Sequence, residues 1–318
     1  MPKKKLFYTI FIACEGDNTE PNYLGRIAES IDEERRISVT IFPKPKYILD
    51  EGEGSGDNRR SDPVGLVEEA CRKLNEGFDE AWAVFDKNGH TGHIEAFQKA
   101  EAGANGKKVT IAFSSIAFEH WILLHFEQNR TAFPKSKNLI DDRFLATGAG
   151  FFPDYTKNRE MDIYPVLEDK TMVAIENAAW LRQQVNGELE NADGKVYEVN
   201  PYTNVDELAK LLLDIPYNFT WASYGEEISF LGYSIHVLLG DEGFSVNLKN
   251  EAGITLILNA GNLSDYFFLH NAGTSLQIAQ TLRLNPDAAT DFVLTSEEPL
   301  PQNVRLVFQV GVERLVIG

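Results

Sequence analysis

An α/β domain built on a parallel sheet flanked by helices, followed by an all-β sandwich, is the architecture this sequence predicts. Three observations carry that expectation. The 318 residues exceed the usual size of one domain. The first 130 residues or so alternate near-continuous apolar runs with segments of helical period, the pattern of strands buried on both faces by crossover helices. Beyond Pro216 the texture changes to short β-rich runs separated by Gly, Asn, Asp and Pro. The expected division is therefore 1–215 and 216–318.

Taken in order, residues 6–13 are apolar and rich in β-formers, and 19–34 have helical spacing through Tyr23, Leu24, Ile27 and Ile31. Residues 37–42 read as a second strand. Asp62 is placed to cap a helix with Pro63 at its first position and a stripe of Val64, Val67, Ala70, Cys71 and Leu74. A third strand is expected at 80–85, a helix at 93–102 and a fourth strand at 108–113. Ser114 or Ser115 would then cap a helix with Phe118, Trp121, Ile122, His125 and Phe126 on one face. Residues 131–215 look more helical and irregular, with helices at 170–190 and 204–213, the second capped by Asn204 or Thr203. Strand-like runs follow at 227–239, 244–248, 254–258, 266–270, 275–284, 291–295 and 304–316.

Composition narrows the function. The net charge of −18 argues against a broad non-specific nucleic-acid surface, which Lys and Arg would have to supply. A local basic groove stays open, because of the basic residues only Lys249, Arg283, Arg305 and Arg314 fall beyond Pro216. Lys44, Lys46, Arg59 and Arg60 could line the rim of a crevice, and Lys135, Lys137, Arg143, Lys157 and Arg159 follow the fourth unit. No apolar stretch is long enough to span a membrane, and the N-terminal residues have no signal-cleavage pattern. With only Cys14 and Cys71, a disulfide framework is not expected, and the cytosol is the natural compartment.

Two runs stop on acids. Phe11-Ile12-Ala13-Cys14 ends on Glu15-Gly16 and leads into a helix; Ala81-Trp82-Ala83-Val84-Phe85 ends on Asp86. Right-handed crossovers and a 2-1-3-4 strand order would make the first and third strands neighbours at a switch point, with both acids facing one crevice. Phosphodiester chemistry needs charge neutralisation and an activated water, which Mg²⁺ held by carboxylates supplies. Glu20 and Glu119 are candidate further ligands. The plainer readings are a turn acid for Asp86, a helix-entry charge for Glu15 or Glu119, and for Glu20 about 0.3–1 kcal/mol of attraction to a helix N-terminus. His125 reads as a core histidine and His120 as able to reach the crevice. His90 and His93 read as exposed. A calcium loop starting at Asp86 fails because its twelfth position is Phe97. Gly52-Glu53-Gly54-Ser55-Gly56 lacks the Gly-Lys-Ser/Thr ending of a phosphate loop and reads as a mobile loop.

Glu15-Gly16-Asp17-Asn18-Thr19-Glu20 resembles the EGxxTE signature of RloB-type proteins, which carry a Toprim-like domain. Val84-Phe85-Asp86-Lys87, the stretch from Ile111 through Ser115 and Phe118 to Phe126, Tyr155-Thr156-Lys157-Asn158, and Asn200-Pro201-Tyr202-Thr203-Asn204-Val205 extend the likeness over about 5–215. The resemblance implies a Toprim fold, a metal-dependent nuclease-like centre using Mg²⁺ or Mn²⁺, and a role in bacterial anti-phage defence, often beside an ATPase partner. It assigns the first motif's glutamate to Glu15 and the first aspartate of the Asp-x-Asp motif to Asp86. Asn88 stands where the second aspartate belongs, which removes one negative charge. The leading expectation is phosphodiester cleavage in RNA or DNA. Glu15 and Asp86 would hold the metal, Asn88, Glu20 or Glu119 would complete its shell, and Lys157 and Arg159 would steady a phosphate. The alternative is a weakened module whose acidic sandwich docks a partner protein or mediates oligomerisation. A weaker third is nucleotidyl or phosphoryl transfer at the same acids.

Overall fold

The computed structural model describes residues 7–49, 61–87, 89, 91–146, 150–156, 162–215, 218–240, 243–252, 254–269, 275–296, 300, 304–310 and 312–318. Its chain divides into two units, Met1–Ile215 and Pro216–Gly318. In the first, the apolar, β-forming run Tyr8–Cys14 makes β1, with its last five residues buried. Helix α1 (Thr19–Glu29) and β2 (Ile37–Phe42) follow. The chain then forms α2 (Pro63–Glu76), β3 (Glu80–Asp86), α3 (His93–Ala102), β4 (Thr110–Ser115) and α4 (Glu119–Leu124). Four further helices, α5 (Ser136–Leu139), α6 (Tyr164–Leu167), α7 (Thr171–Gln184) and α8 (Asn186–Asn191), lead to β5 (Tyr202–Thr203) and α9 (Val205–Leu213). Helix α2 starts as its sequence demands: the Asp62 carboxylate accepts from Gly65 N at 3.1 Å, and Pro63 fills the first turn. It stops at Gly77, whose φ of 103° is left-handed.

The sheet order is β2-β1-β3-β4-β5; the first four strands are parallel, and β5 is antiparallel to β4. The predicted 2-1-3-4 core is present with one added edge strand. That edge overturns two expected caps. Ser114 and Ser115 do not cap α4; they end β4, pair with Thr203 and Tyr202, and the Ser114 and Thr203 hydroxyls lie 2.9 Å apart. The residue before α4 is Phe118, with no side-chain cap. Asn204 precedes α9 but does not cap it either. Its amide completes the ladder beyond β5, accepting from Phe113 N at 2.7 Å and donating to Ile111 O at 2.9 Å. Thr203 Oγ1 takes the Val205 N–H at 3.3 Å instead. The first helix also ends five residues earlier than its periodicity suggests, because Asp32 opens a separate 3₁₀ turn at Glu33–Arg35 by accepting from Glu34 N at 2.8 Å.

The second unit is β-rich and mostly antiparallel. One sheet runs from Leu276–Ile278 through Ala289–Ser296, Gly243–Asn250 and Tyr233–Leu239 to Glu227–Phe230. A second runs from Phe267–Leu269 through Leu306–Val310 and Glu313–Ile317 to Asn218–Ala222, the last pair being parallel. Ile235, Val246 and Leu294 of the first share one core with Phe267, Phe308 and Leu315 of the second. Three runs expected as single strands are pairs of strands; that at 227–239 turns at Leu231 and Gly232, both at positive φ. Alternation continues through such a turn, so the pattern alone does not reveal it. Among the described residues, no helix is long and apolar enough to cross a membrane.

Candidate active site

Because β1 and β3 are adjacent and parallel, with Cys14 opposite Val84, their carboxyl ends deliver two acids to one place. Glu15 extends the ladder by donating its N–H to Val84 O at 2.9 Å, and its Oε2 accepts the Asp86 N–H at 2.9 Å. The turn after β4 reaches the same point, where Phe118 N approaches Asp86 Oδ2 at 3.4 Å. Glu20, in the first turn of α1, folds back over Gly16. A Cβ at position 16 would stand 2.1 Å from Glu20 Oε2, so any larger residue here would push the Glu20 carboxylate out of its present position. Glu119 opens α4, is 2% exposed, and accepts at Oε1 from the Tyr155 hydroxyl at 2.9 Å.

These residues wall a cleft of about 320 Å³, together with Asp17, Asn18, Thr19, Ser61 and Phe118. Five carboxylates therefore face one space, those of Glu15, Asp17, Glu20, Asp86 and Glu119, and no Lys or Arg stands among the described lining residues. Oxygen donors of this kind suit a hard divalent cation. Among the described residues no three His, Cys, Asp or Glu side chains form a ready cage. Mg²⁺ does not need one, since it keeps several waters and binds through one or two carboxylates plus substrate phosphates. The donor set thus fits a largely hydrated Mg²⁺ or Mn²⁺ rather than a fully protein-ligated metal.

The histidines lie elsewhere. Every residue of α4 is buried, and His120 is 0% exposed rather than open to the cleft; burial pushes its pKa down to about 4. His125 is the expected core histidine. Its Nε2 meets the Tyr23 hydroxyl at 3.1 Å, its Nδ1 meets Trp121 O at 3.0 Å, and burial holds its pKa down to about 3. His93 is not simply exposed, because its Nε2 sits 3.2 Å from Asp86 O and its ring packs on Phe85 and Tyr197. Of the expected rim cations, Lys44 lines a different groove; of the cations after the fourth unit, Lys137 pairs with Asp141 and Arg143 with Glu127. Asn88, His90, Lys157, Arg159, Arg59, Arg60 and the 52–56 loop lie outside the described residues.

Sequence reasoning missed Asp17, Ser61 and Tyr155. Asp17 lies inside the quoted EGxxTE stretch, where sequence reasoning singles out only Glu15 and Glu20. Tyr155 belongs to a quoted motif, yet no local signal says that its ring runs beneath the start of α4. Ser61 gave no signal.

No curated protein matches this chain. Residues 10–212 match the family model described as RloB-like protein. That span is well over half of the chain and contains all of the five-stranded sheet but Tyr8 and Thr9, together with every acid of the cleft, so the chain belongs to the RloB-like protein family.

Proposed function

We propose that this protein cleaves phosphodiester bonds in RNA or DNA with the help of Mg²⁺ or Mn²⁺. The observation that carries the reading is the meeting of Glu15 and Asp86 at the carboxyl ends of adjacent parallel strands, with Glu15 Oε2 on the Asp86 amide at 2.9 Å. Ligand sites of open α/β sheets lie at such strand ends. Glu15 and Asp86 would hold the ion, and Glu20, Glu119 or Asn88 would complete its oxygen set. A bound ion would neutralise phosphate charge and lower the pKa of a water. The chain's own residues fix the carboxylates: the β1–β3 ladder sets Glu15, the β4–α4 turn meets Asp86, and Gly16 makes room for Glu20. Lys157 and Arg159 would steady the substrate phosphate. Family membership is the ground for extending the reading to anti-phage defence beside an ATPase partner.

The test is cleavage of tRNA, other RNA and DNA by wild-type protein and by Glu15→Ala and Asp86→Ala, with and without Mg²⁺. Loss in both variants with the fold intact supports the proposal, and full activity in both ends it. One observation favours the competing reading of a weakened interaction module, namely the lack of a ready three-ligand group among the described residues. Asn88→Asp separates the two. A large gain in metal affinity or cleavage marks a weakened enzyme, and no change marks a module.

A further inference from the structure

Tyr155 is buried, 2% exposed. Its ring packs edge-on against Phe144, with centroids 4.9 Å apart, and against Phe152 at 5.5 Å, so the ring is held independently of its polar end. That polar end donates to Glu119 Oε1 at 2.9 Å. The Thr19 side chain is a further hydrogen-bonding neighbour of that hydroxyl, and the Glu20 carboxylate is close enough to act on it electrostatically. Thr19 and Glu119 both line the cleft, one from the start of α1 and the other from the start of α4.

Building on the metal-site reading above, we infer that Tyr155 is a positioning residue. Its hydroxyl fixes the rotation of the Glu119 carboxylate and ties the starts of α1 and α4 together, so that the cleft presents its oxygens to a divalent cation at a set spacing. Partners that orient a ligating carboxylate in this way typically contribute about 10–100-fold in metal affinity.

The experiment is Mn²⁺ titration of the full chain, followed by electron paramagnetic resonance and calorimetry, with thermal unfolding measured in parallel. Tyr155→Phe keeps the ring and removes only the hydroxyl. It is expected to bind Mn²⁺ about 10-fold or more weakly while unfolding near the wild-type temperature. The loss should vanish in a Glu119→Gln background, because the hydroxyl acts through that carboxylate. Should Tyr155→Phe fail to fold, Thr19→Val removes the hydroxyl's other neighbour and is expected to weaken Mn²⁺ in the same direction. Wild-type affinity in Tyr155→Phe, or in Thr19→Val where that variant is the one used, overturns the inference while leaving the metal site standing. Equal losses with and without Glu119 also overturn it. Absence of Mn²⁺ binding by the wild-type chain overturns the metal-site reading itself, and this inference with it.

Discussion

Two hollows among the described residues of the first unit differ in lining, and the smaller one is the site proposed above. Between α1 and β2 lies a groove of about 740 Å³, lined by Ile37, Val39, Ile41, Pro45, Tyr47 and Ile48 with scattered charges of both signs. The acidic cleft at the ends of β1 and β3 is about 320 Å³. Size with apolar lining is the usual first guide to a ligand site, and it points to the groove, away from the proposed site. The groove arises because β2 is an edge strand: none of its residues is fully buried, whereas five of β1 are. The cleft arises because the ladder ends on acids. The strongest way to break this contrast is to remove one cleft charge at a time. Glu15→Gln and Asp86→Asn are each expected to abolish Mg²⁺-dependent cleavage and to weaken Mn²⁺ by more than ~100-fold. Retained binding in either variant would move the site out of the cleft.

A smaller effect is expected at Gly16. Alanine there puts a Cβ on top of the Glu20 carboxylate, which is the mobile end of a side chain and swings aside at little cost to the fold. Gly16→Ala should therefore keep its stability within ~0.5 kcal/mol. It should lose about 10-fold in Mn²⁺ affinity, as expected when a ligating group is displaced. Unchanged affinity would remove Glu20 from the site and leave the pair from β1 and β3 to act without it.

This pair was legible because a parallel ladder leaves little freedom. Two apolar runs each end on an acid, and a 2-1-3-4 strand order makes those runs neighbours, so Glu15 and Asp86 meet. What was not legible depends on long-range packing. Tyr155 reaches Glu119 from 36 residues further along the chain, and no periodicity encodes that contact. Ser114 and Asn204 look like helix caps locally, yet an antiparallel edge strand claims their hydrogen-bonding groups. The turns inside the second unit escaped because alternation continues across them, and Asn218–Ala222 escaped because its partner is the last strand of the chain.

Behind the cleft the contrast takes another form, with charges facing solvent in front and two dry imidazoles in α4 and at its end. His120 and His125, held down to about 4 and about 3, stay neutral in the folded protein where an unfolded histidine takes up a proton. Below the ordinary histidine pKa of about 6.5 the unfolded chain binds more protons, so stability falls as pH drops toward those folded values. The loss is at most ~1.4 kcal/mol per pH unit for each histidine. Urea midpoints measured from pH 7 to pH 5, where most carboxylates stay ionised, should fall steadily, and less steeply in His125→Gln. A flat profile for wild-type protein would mean that the imidazoles reach water.

The smallest expected effect on the cleft is also the sharpest control. Gly25, nine residues after Gly16 in the sequence, faces the groove, where an added Cβ would stand 2.6 Å from the Tyr47 hydroxyl and 2.7 Å from Pro45 Cγ. The proline ring cannot swing away as Glu20 can, and the Arg26 guanidinium stacks on Tyr47 at 3.7 Å and restrains that ring too. Overpacking of this kind costs ~1–3 kcal/mol, more than the ~0.5–1 kcal/mol that alanine gains over glycine inside a helix. Gly25→Ala should thus lose about 1 kcal/mol of stability and leave Mn²⁺ affinity within about twofold of wild type. The same substitution in the same stretch of chain then gives opposite signatures, metal without fold at Gly16 and fold without metal at Gly25. If Gly25→Ala weakened Mn²⁺ as strongly as Gly16→Ala, the two hollows would be coupled through α1, and the groove would have to be counted as part of the site.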